Sequence, residues 1–325
     1  MNIIICPKCL KKHSVDIAKL PDVDIVNAKC KACKHRFPVR LDMFRKPQEA
    51  EFETVAKPKH ARKICVSLSK GGVGKTTTSV NLSAGLALAG FKVLLVDTDT
   101  QGQSSYMLGK TPHAGLTELL TGELTLDEVV VEARKNLWVL GGGRSLADVK
   151  RLIDKKSFGA EWTLTEAMAD FDERFDFIIM DTSPGWDQLT VNVMFYANEI
   201  LVPVALEVMP LHGLSEFTKS LNSIQKYRKD ISIKYVLPTF MDDRVEQPKQ
   251  IQAKLESLYQ GQICKPIRYN EKFASAPSYG KTIFEYAPDS SGAEDYSCLV
   301  RKVANDSMLL REFSAPVVDG WVRAI

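Results

Sequence analysis

The stretch LSKGGVGKTTTSVNLSAG, residues 68–85, decides the fold. Gly74-Lys75-Thr76 forms the G-K-[ST] ending of a phosphate-binding loop, in which the lysine reaches the β/γ-phosphates and the hydroxyl binds Mg²⁺. A glycine-rich turn lets consecutive backbone N–H groups converge on an anion, and the following helix adds its positive end. The usual pattern has a glycine where Ser69 stands here. What replaces it is Lys70-Gly71-Gly72-Val73-Gly74-Lys75-Thr76, with a second lysine inside the glycine run. The flanks have the required order: KICVSL (Lys63–Leu68) reads as a short buried strand, and Thr77–Ala89 as a helix.

Working outward, FKVLLVDTDTQGQSS (residues 91–105) contains an apolar strand run, Val93–Val96, ending in Asp97-Thr98-Asp99. FDFIIMDTSPG (residues 175–185) contains a second, Phe177–Met180, ending at Asp181. Acids at the carboxyl tips of such strands fall where an open α/β sheet binds ligands, and Asp181 is placed to hold Mg²⁺ through water. EILVPVAL (199–206) and IKYVLPTF (233–240) read as further strands, with helical stretches near 189–196, 214–227 and 248–258. Strands alternating with helices imply an α/β fold with a mostly parallel sheet covered on both faces.

The 325 residues suit one large domain plus a small one, and 45% hydrophobic and 26% charged residues are those of an ordinary globular protein. No run reaches the length of a membrane helix, and MNIIICPKC does not read as a signal peptide, so the expected location is the cytoplasm. The formal charge of +3 hides an asymmetry: residues 1–62 carry 14 basic against 7 acidic residues, and the rest 29 against 33. A basic front end could touch nucleic acid or an acidic partner, or be only a solvated module. Seven cysteines without a secretory leader argue against a disulfide framework.

Four of those cysteines form C-x₂-C-x₂₀-C-x₂-C: Cys6, Cys9, Cys30 and Cys33. Four thiolates satisfy a tetrahedral Zn²⁺, and so small a module needs metal binding to supply folding energy. A closed site of four thiolates is structural. His13 and His35 therefore read as surface residues. The span Asn2–Arg40 resembles the small zinc-ribbon domain at the front of many bacterial proteins. The expected division is a ribbon over residues 1–42, a charged linker over 43–62, and a main domain over 63–325.

The main domain resembles the ParA/MinD family of deviant-Walker P-loop ATPases, and its ParA/Soj partition branch in particular. The likeness rests on KGGVGKTTTSVNLSAGLALAGFKVLLVD (70–97), DTSPG (181–185) and FASAPSYGKTIFEYAPDSSGAEDY (273–296). The resemblance implies a homodimer with two ATP molecules between its subunits. Lys70 would reach across to the phosphates held by the other subunit's Lys75. Gly71, Gly72, Val73, Gly74, Lys75, Thr76 and Thr77 would wrap the phosphates, with Asn270 near the base. Thr76 would ligate Mg²⁺, Asp97 would support its water shell, and Asp181 would hold it through water. Asp99 would orient the attacking water.

Departures accompany the likeness. The family's Asp-x-Asp-Pro-Gln-Gly has Thr100 for proline, which loosens that loop. Its Ile-Pro-Arg-Asn reads Ile267-Arg268-Tyr269-Asn270, so the adenine pocket differs. The resemblance also implies sequence-independent DNA binding by the dimer. Arg244 matches one such position; another is Asn222, where Lys219 and Lys226 could substitute, and Lys272 is a further candidate. The expected function is an ATP-gated, nucleoid-associated switch that positions a cargo, with hydrolysis stimulated by a ParB-like or adaptor protein. The rivals are a MinD-like membrane-positioning ATPase, which would need an amphipathic C-terminal helix, and an adaptor whose ribbon recruits a partner.

Overall fold

A computed structural model describes residues 2–5, 11–15, 25–40, 60–206, 210–242 and 244–305. The chain divides into two compact units, Met1–Ala56 and Lys57–Ile325. In the first, β1 (Asn2–Ile5) pairs antiparallel with β2 (Lys12–Val15), and β3 (Ile25–Lys29) with β4 (Arg36–Arg40). The turn joining β3 to β4 carries Cys30 and Cys33. It is closed by Lys34 N–H donating to Cys30 O at 3.0 Å and Cys30 N–H donating to His35 O at 2.8 Å.

The second unit is built on a seven-stranded sheet. Its strands are β5 (Arg62–Val66), β6 (Val93–Asp97), β7 (Val130–Arg134), β8 (Leu137–Leu140), β9 (Phe177–Asp181), β10 (Glu199–Ala205) and β11 (Ser232–Thr239). They lie in the order β11-β10-β5-β9-β6-β8-β7. All neighbouring pairs are parallel except β7–β8. The strand that feeds the glycine loop begins at Arg62. The Arg62 guanidinium is tied to Glu199, to Tyr235 OH at 2.9 Å and to Val303 O at 2.6 Å, which anchors the strand to its neighbours and to the helix Ser291–Asn305.

Successive strand residues face opposite sides of a sheet. On β6, Leu94 and Val96 enter one core while Val93 and Leu95 enter the other. On β9, Ile178 and Met180 divide from Phe177 and Ile179 in the same way. Because both faces are covered, these strands read as unbroken apolar runs. β5 and β6 are consecutive in the chain but separated by β9 in the sheet. The loops after β5, β6 and β9 therefore gather at one carboxyl edge, where open α/β sheets place ligands.

Candidate functional site

Register builds the site. Asp97 of β6 lies directly beside Asp181 of β9, and Asp181 beside Val66 of β5. Thr98 stitches the tips together, its N–H and Oγ1 both donating to Asp181 O at 3.0 and 2.7 Å. The glycine loop then enters the helix Lys75–Leu88 through Gly74 at φ 86, with Gly72 at φ 73. Both angles are left-handed, and a Cβ there would be strained.

Lys75 is buried and its Nζ donates to Lys70 O at 2.7 Å. Burial pulls its pKa down, opposed by the charges of Asp181 and Asp99. The Lys70 side chain is exposed at the same turn. Thr76 bonds the Asp181 carboxylate, and Ser79 Oγ and Ser104 Oγ approach its two oxygens at 3.0 Å each. The Asp97 carboxylate accepts from Asp99 N–H at 3.0 Å and Ser104 N–H at 2.9 Å. Burial, first of all, pushes the carboxyls of Asp97 and Asp181 up, and Asp97 is raised further by the charge of Asp181. Two buried acids at strand tips with hydroxyls beside them form an oxygen-rich donor set that suits a hard divalent cation such as Mg²⁺.

Above them opens a cavity of about 680 Å³. Gly72, Gly74, Lys75, Thr76 and Thr77 form its floor, and Asp99 and Gln101 one wall. Asp99 is only half-buried, its Oδ1 accepting from Gln101 N–H at 3.0 Å. Val73 faces the core, its carbonyl accepting from Thr239 Oγ1 at 3.0 Å. Asn270 lies apart from the cavity lining: its Nδ2 donates to Ser291 Oγ at 3.1 Å and its Oδ1 accepts from Lys272 N–H at 2.9 Å.

Four features escape a reading along the chain. Phe240, at φ 59, lines the cavity beside Gly74. Ser104 reaches Asp181 from the segment after Asp99. Lys150 and Asp187 form an ion pair in the cavity wall, from the helix Leu146–Asp154 and the start of the helix Gln188–Tyr196. Burial acts to raise the Asp187 pKa, but bonds from Lys150 and Thr190 N–H bring it below the usual range. Finally, Gly141-Gly142-Gly143 runs against the backbone of Asp97 and Asp99, with Gly143 N–H donating to Asp99 O at 3.1 Å. No signature spacing marks these residues, because they meet only through the sheet order.

The DNA-binding candidates sit on three segments, with Lys219 and Lys226 at one helix. Lys219 pairs with Glu216 at 2.9 Å, Arg244 with Asp242 at 2.7 Å, and Lys272 with Glu271 at 3.7 Å. Lys226 is exposed just past the helix Pro210–Gln225. Among the described residues no helix is long and apolar enough to cross a membrane. The C-terminal stretch on which a membrane-binding helix would depend lies outside the described residues.

In the first unit, Cys33 N–H points at Cys30 Sγ at 3.5 Å and His13 Nε2 lies 3.2 Å from the same sulfur. The bond from Cys33 N–H is the largest of the causes that lower the Cys30 pKa, to about 5. A thiolate on such a turn fits a zinc donor. His13, expected to be a plain surface residue, is half-buried against that sulfur. Cys6 and Cys9 lie outside the described residues, and among the described residues no cluster of three or more metal-binding side chains is present.

Comparison with known proteins agrees with this geometry. A family model described as an AAA domain matches residues 61–233. The sporulation initiation inhibitor protein Soj of Bacillus subtilis is 34% identical over 249 residues, covering 74% of this chain and 97% of the relative. The chromosome-partitioning ATPase Soj of Thermus thermophilus is 34% identical over 244 residues, covering 74% and 95%. The solved structure of cobyrinic acid a,c-diamide synthase from Mycobacterium smegmatis, with bound ATP analogue and magnesium, superposes with a TM-score of 0.67 at 25% identity, covering 78% of this chain and 99% of that one. With these likenesses joined to the glycine loop, the paired strand-tip acids and the parallel sheet, the chain belongs to the ParA/MinD family of P-loop ATPases.

Proposed function

We propose that the protein is an ATP-gated dimer that holds DNA without sequence preference and positions a cargo, with a ParB-like or adaptor protein stimulating hydrolysis. The observation that carries this reading is the division between the two loop lysines. Lys75 is buried and turned inward, whereas Lys70 leaves the same turn and is exposed. A loop that already has its own phosphate lysine gains nothing locally from a second, outward one. Facing a second subunit, Lys70 would bring positive charge to the γ-phosphate from the far side, where charge develops during transfer.

Within one subunit the roles follow from position. Lys75 and the loop N–H groups hold the β- and γ-phosphates, and Asn270 would act only at the edge of the base site. Thr76, Asp97 and Asp181 would hold Mg²⁺, which would supply positive charge to the phosphate oxygens. Asp99, half-exposed in the cavity wall, orients a water toward the γ-phosphorus. That water's oxygen forms the new P–O bond, the bond to the β-phosphate oxygen breaks, and ADP and phosphate leave.

The DNA contact draws on Lys219, Lys226, Arg244 and Lys272. Three of these are offset by neighbouring acids, so Lys226 carries the most available charge. Cys6, Cys9, Cys30 and Cys33 would hold a structural Zn²⁺, and this basic front module would contribute to the nucleic-acid footprint. Gel shifts over a salt series, with ATP and with ADP, test the reading. Binding should need ATP, ignore sequence and fall steeply with salt, because counterion release dominates phosphate contacts. Lys226→Glu should weaken it more than Arg244→Glu. Equal binding with both nucleotides contradicts the switch, and liposome association in place of DNA binding supports the membrane rival.

A further inference from the structure

Lys150 is a cavity cation to which the proposed reaction gives no role. It projects from the helix Leu146–Asp154, and its Nζ lies 2.5 Å from Asp187 Oδ2. Both residues line the cavity that Gly74, Lys75 and Thr76 floor. Of the residues lining that cavity, Lys75 and Lys150 are the cations, set against Asp99 and Asp187. Lys75 is pinned at the loop, its Nζ on Lys70 O. Lys150 carries its charge at the end of a flexible four-carbon stem.

Asp187 is built to survive losing it. Its Oδ1 caps the helix Gln188–Tyr196 by accepting from Thr190 N–H at 2.8 Å, and its Oδ2 also accepts from Ser183 Oγ at 3.2 Å. When Lys150 leaves, the carboxylate keeps two donors and is one-third exposed to water.

We propose that Lys150 is a nucleotide-discriminating residue: Asp187 holds it when no triphosphate is bound, and the terminal phosphate of a bound nucleoside triphosphate takes it over. A diphosphate, one phosphate shorter, leaves the pair closed. The exchange frees Asp187 six residues beyond Asp181, in the segment that begins the helix Gln188–Tyr196, so that segment registers which nucleotide is present. This rests on the reading of the cavity as the ATP site.

The test compares Mg²⁺-dependent affinities for ATPγS and for ADP by calorimetry. A charge-assisted hydrogen bond to phosphate is worth enough that Lys150→Met should weaken ATPγS by about tenfold and ADP by less than about twofold. Lys150→Arg, which keeps the charge, should retain the preference. Asp187→Asn keeps a capping oxygen for Thr190 N–H and should tighten ATPγS by roughly threefold, because Lys150 is no longer contested. The double variant should match Lys150→Met. Opposite signs for the two single variants are the signature. If both weaken ATPγS and ADP alike, or if neither changes the ratio while the parent binds ATPγS, the proposal is overturned and the ATPase reading stands. If the parent binds neither nucleotide, the reading of the cavity fails as well.

Discussion

Gly142→Ala should uncouple ATP hydrolysis from ATP binding. A Cβ at this position would sit 2.7 Å from the carbonyl oxygens of both Asp97 and Asp99, and 3.0 Å from Asp97 Oδ1. A relaxed carbon–oxygen contact is about 3.3 Å, so the methyl intrudes by roughly 0.6 Å on two backbone atoms at once. Neither can swing aside as a flexible side chain would. The backbone of Gly142 is outside the left-handed region, so no left-handed strain adds to the clash. Overpacking of this kind costs about 1–3 kcal/mol, which should appear as a shift in the urea midpoint with an unchanged slope. The segment most able to yield is the one holding Asp99, and a displacement approaching 1 Å in a catalytic group costs up to about a hundredfold. Phosphate release at saturating ATP should therefore fall by about tenfold to a hundredfold. Lys75, Thr76 and the glycine loop hang from β5, across β9 from the clash, so ATP affinity should change by less than about threefold. A folded Gly142→Ala protein with turnover within about twofold of the parent would refute the argument that this glycine supports the position of Asp99.

Asp99→Ala should bind ATP and accumulate as a nucleotide-loaded dimer, because the phosphate contacts survive while water activation is lost; trapped ATP measured after gel filtration checks this, and turnover near the parent's would remove Asp99 from its role. Elemental analysis should find one Zn²⁺ per chain, and Cys30→Ser should lose it while ATP hydrolysis persists, since the second unit has its own core; a metal-free protein with an intact front module would contradict the ribbon.

The central strands were readable because burial on both faces makes them continuous apolar runs. Val93–Asp97 and Phe177–Asp181 differ from the expected spans by a single terminal residue. The edge pair was not readable. VVEAR of β7 mixes polar and apolar positions, LWVL of β8 is only four residues long, and β7 runs against the direction of the sheet. In the site, Lys75, Thr76, Asp97 and Asp181 carry local signals: a glycine run, or an acid at a strand tip. Lys150, Asp187, Phe240 and Gly142 carry none. Lys150 and Asp187 are 37 residues apart, and their meeting is a property of how two helices flank one cavity. Asn270 carries a motif likeness, but its bonds to Ser291 and the Lys272 N–H are not legible in the sequence. Nor does the sequence show that Arg244, a DNA-binding candidate by its position, is bonded to Asp242 through two of its side-chain nitrogens.

In the proposed dimer Lys70 serves the other subunit while Lys75 serves its own. Light scattering of Lys70→Ala and Lys75→Ala, each beside the parent protein with Mg²⁺ and ATPγS and with nucleotide occupancy measured on the same samples, tests it directly. The parent should double its mass with ATPγS. Lys75→Ala should stay monomeric and empty, and Lys70→Ala should stay monomeric while carrying nucleotide. A Lys70→Ala protein that dimerises with ATPγS as the parent does would contradict the account.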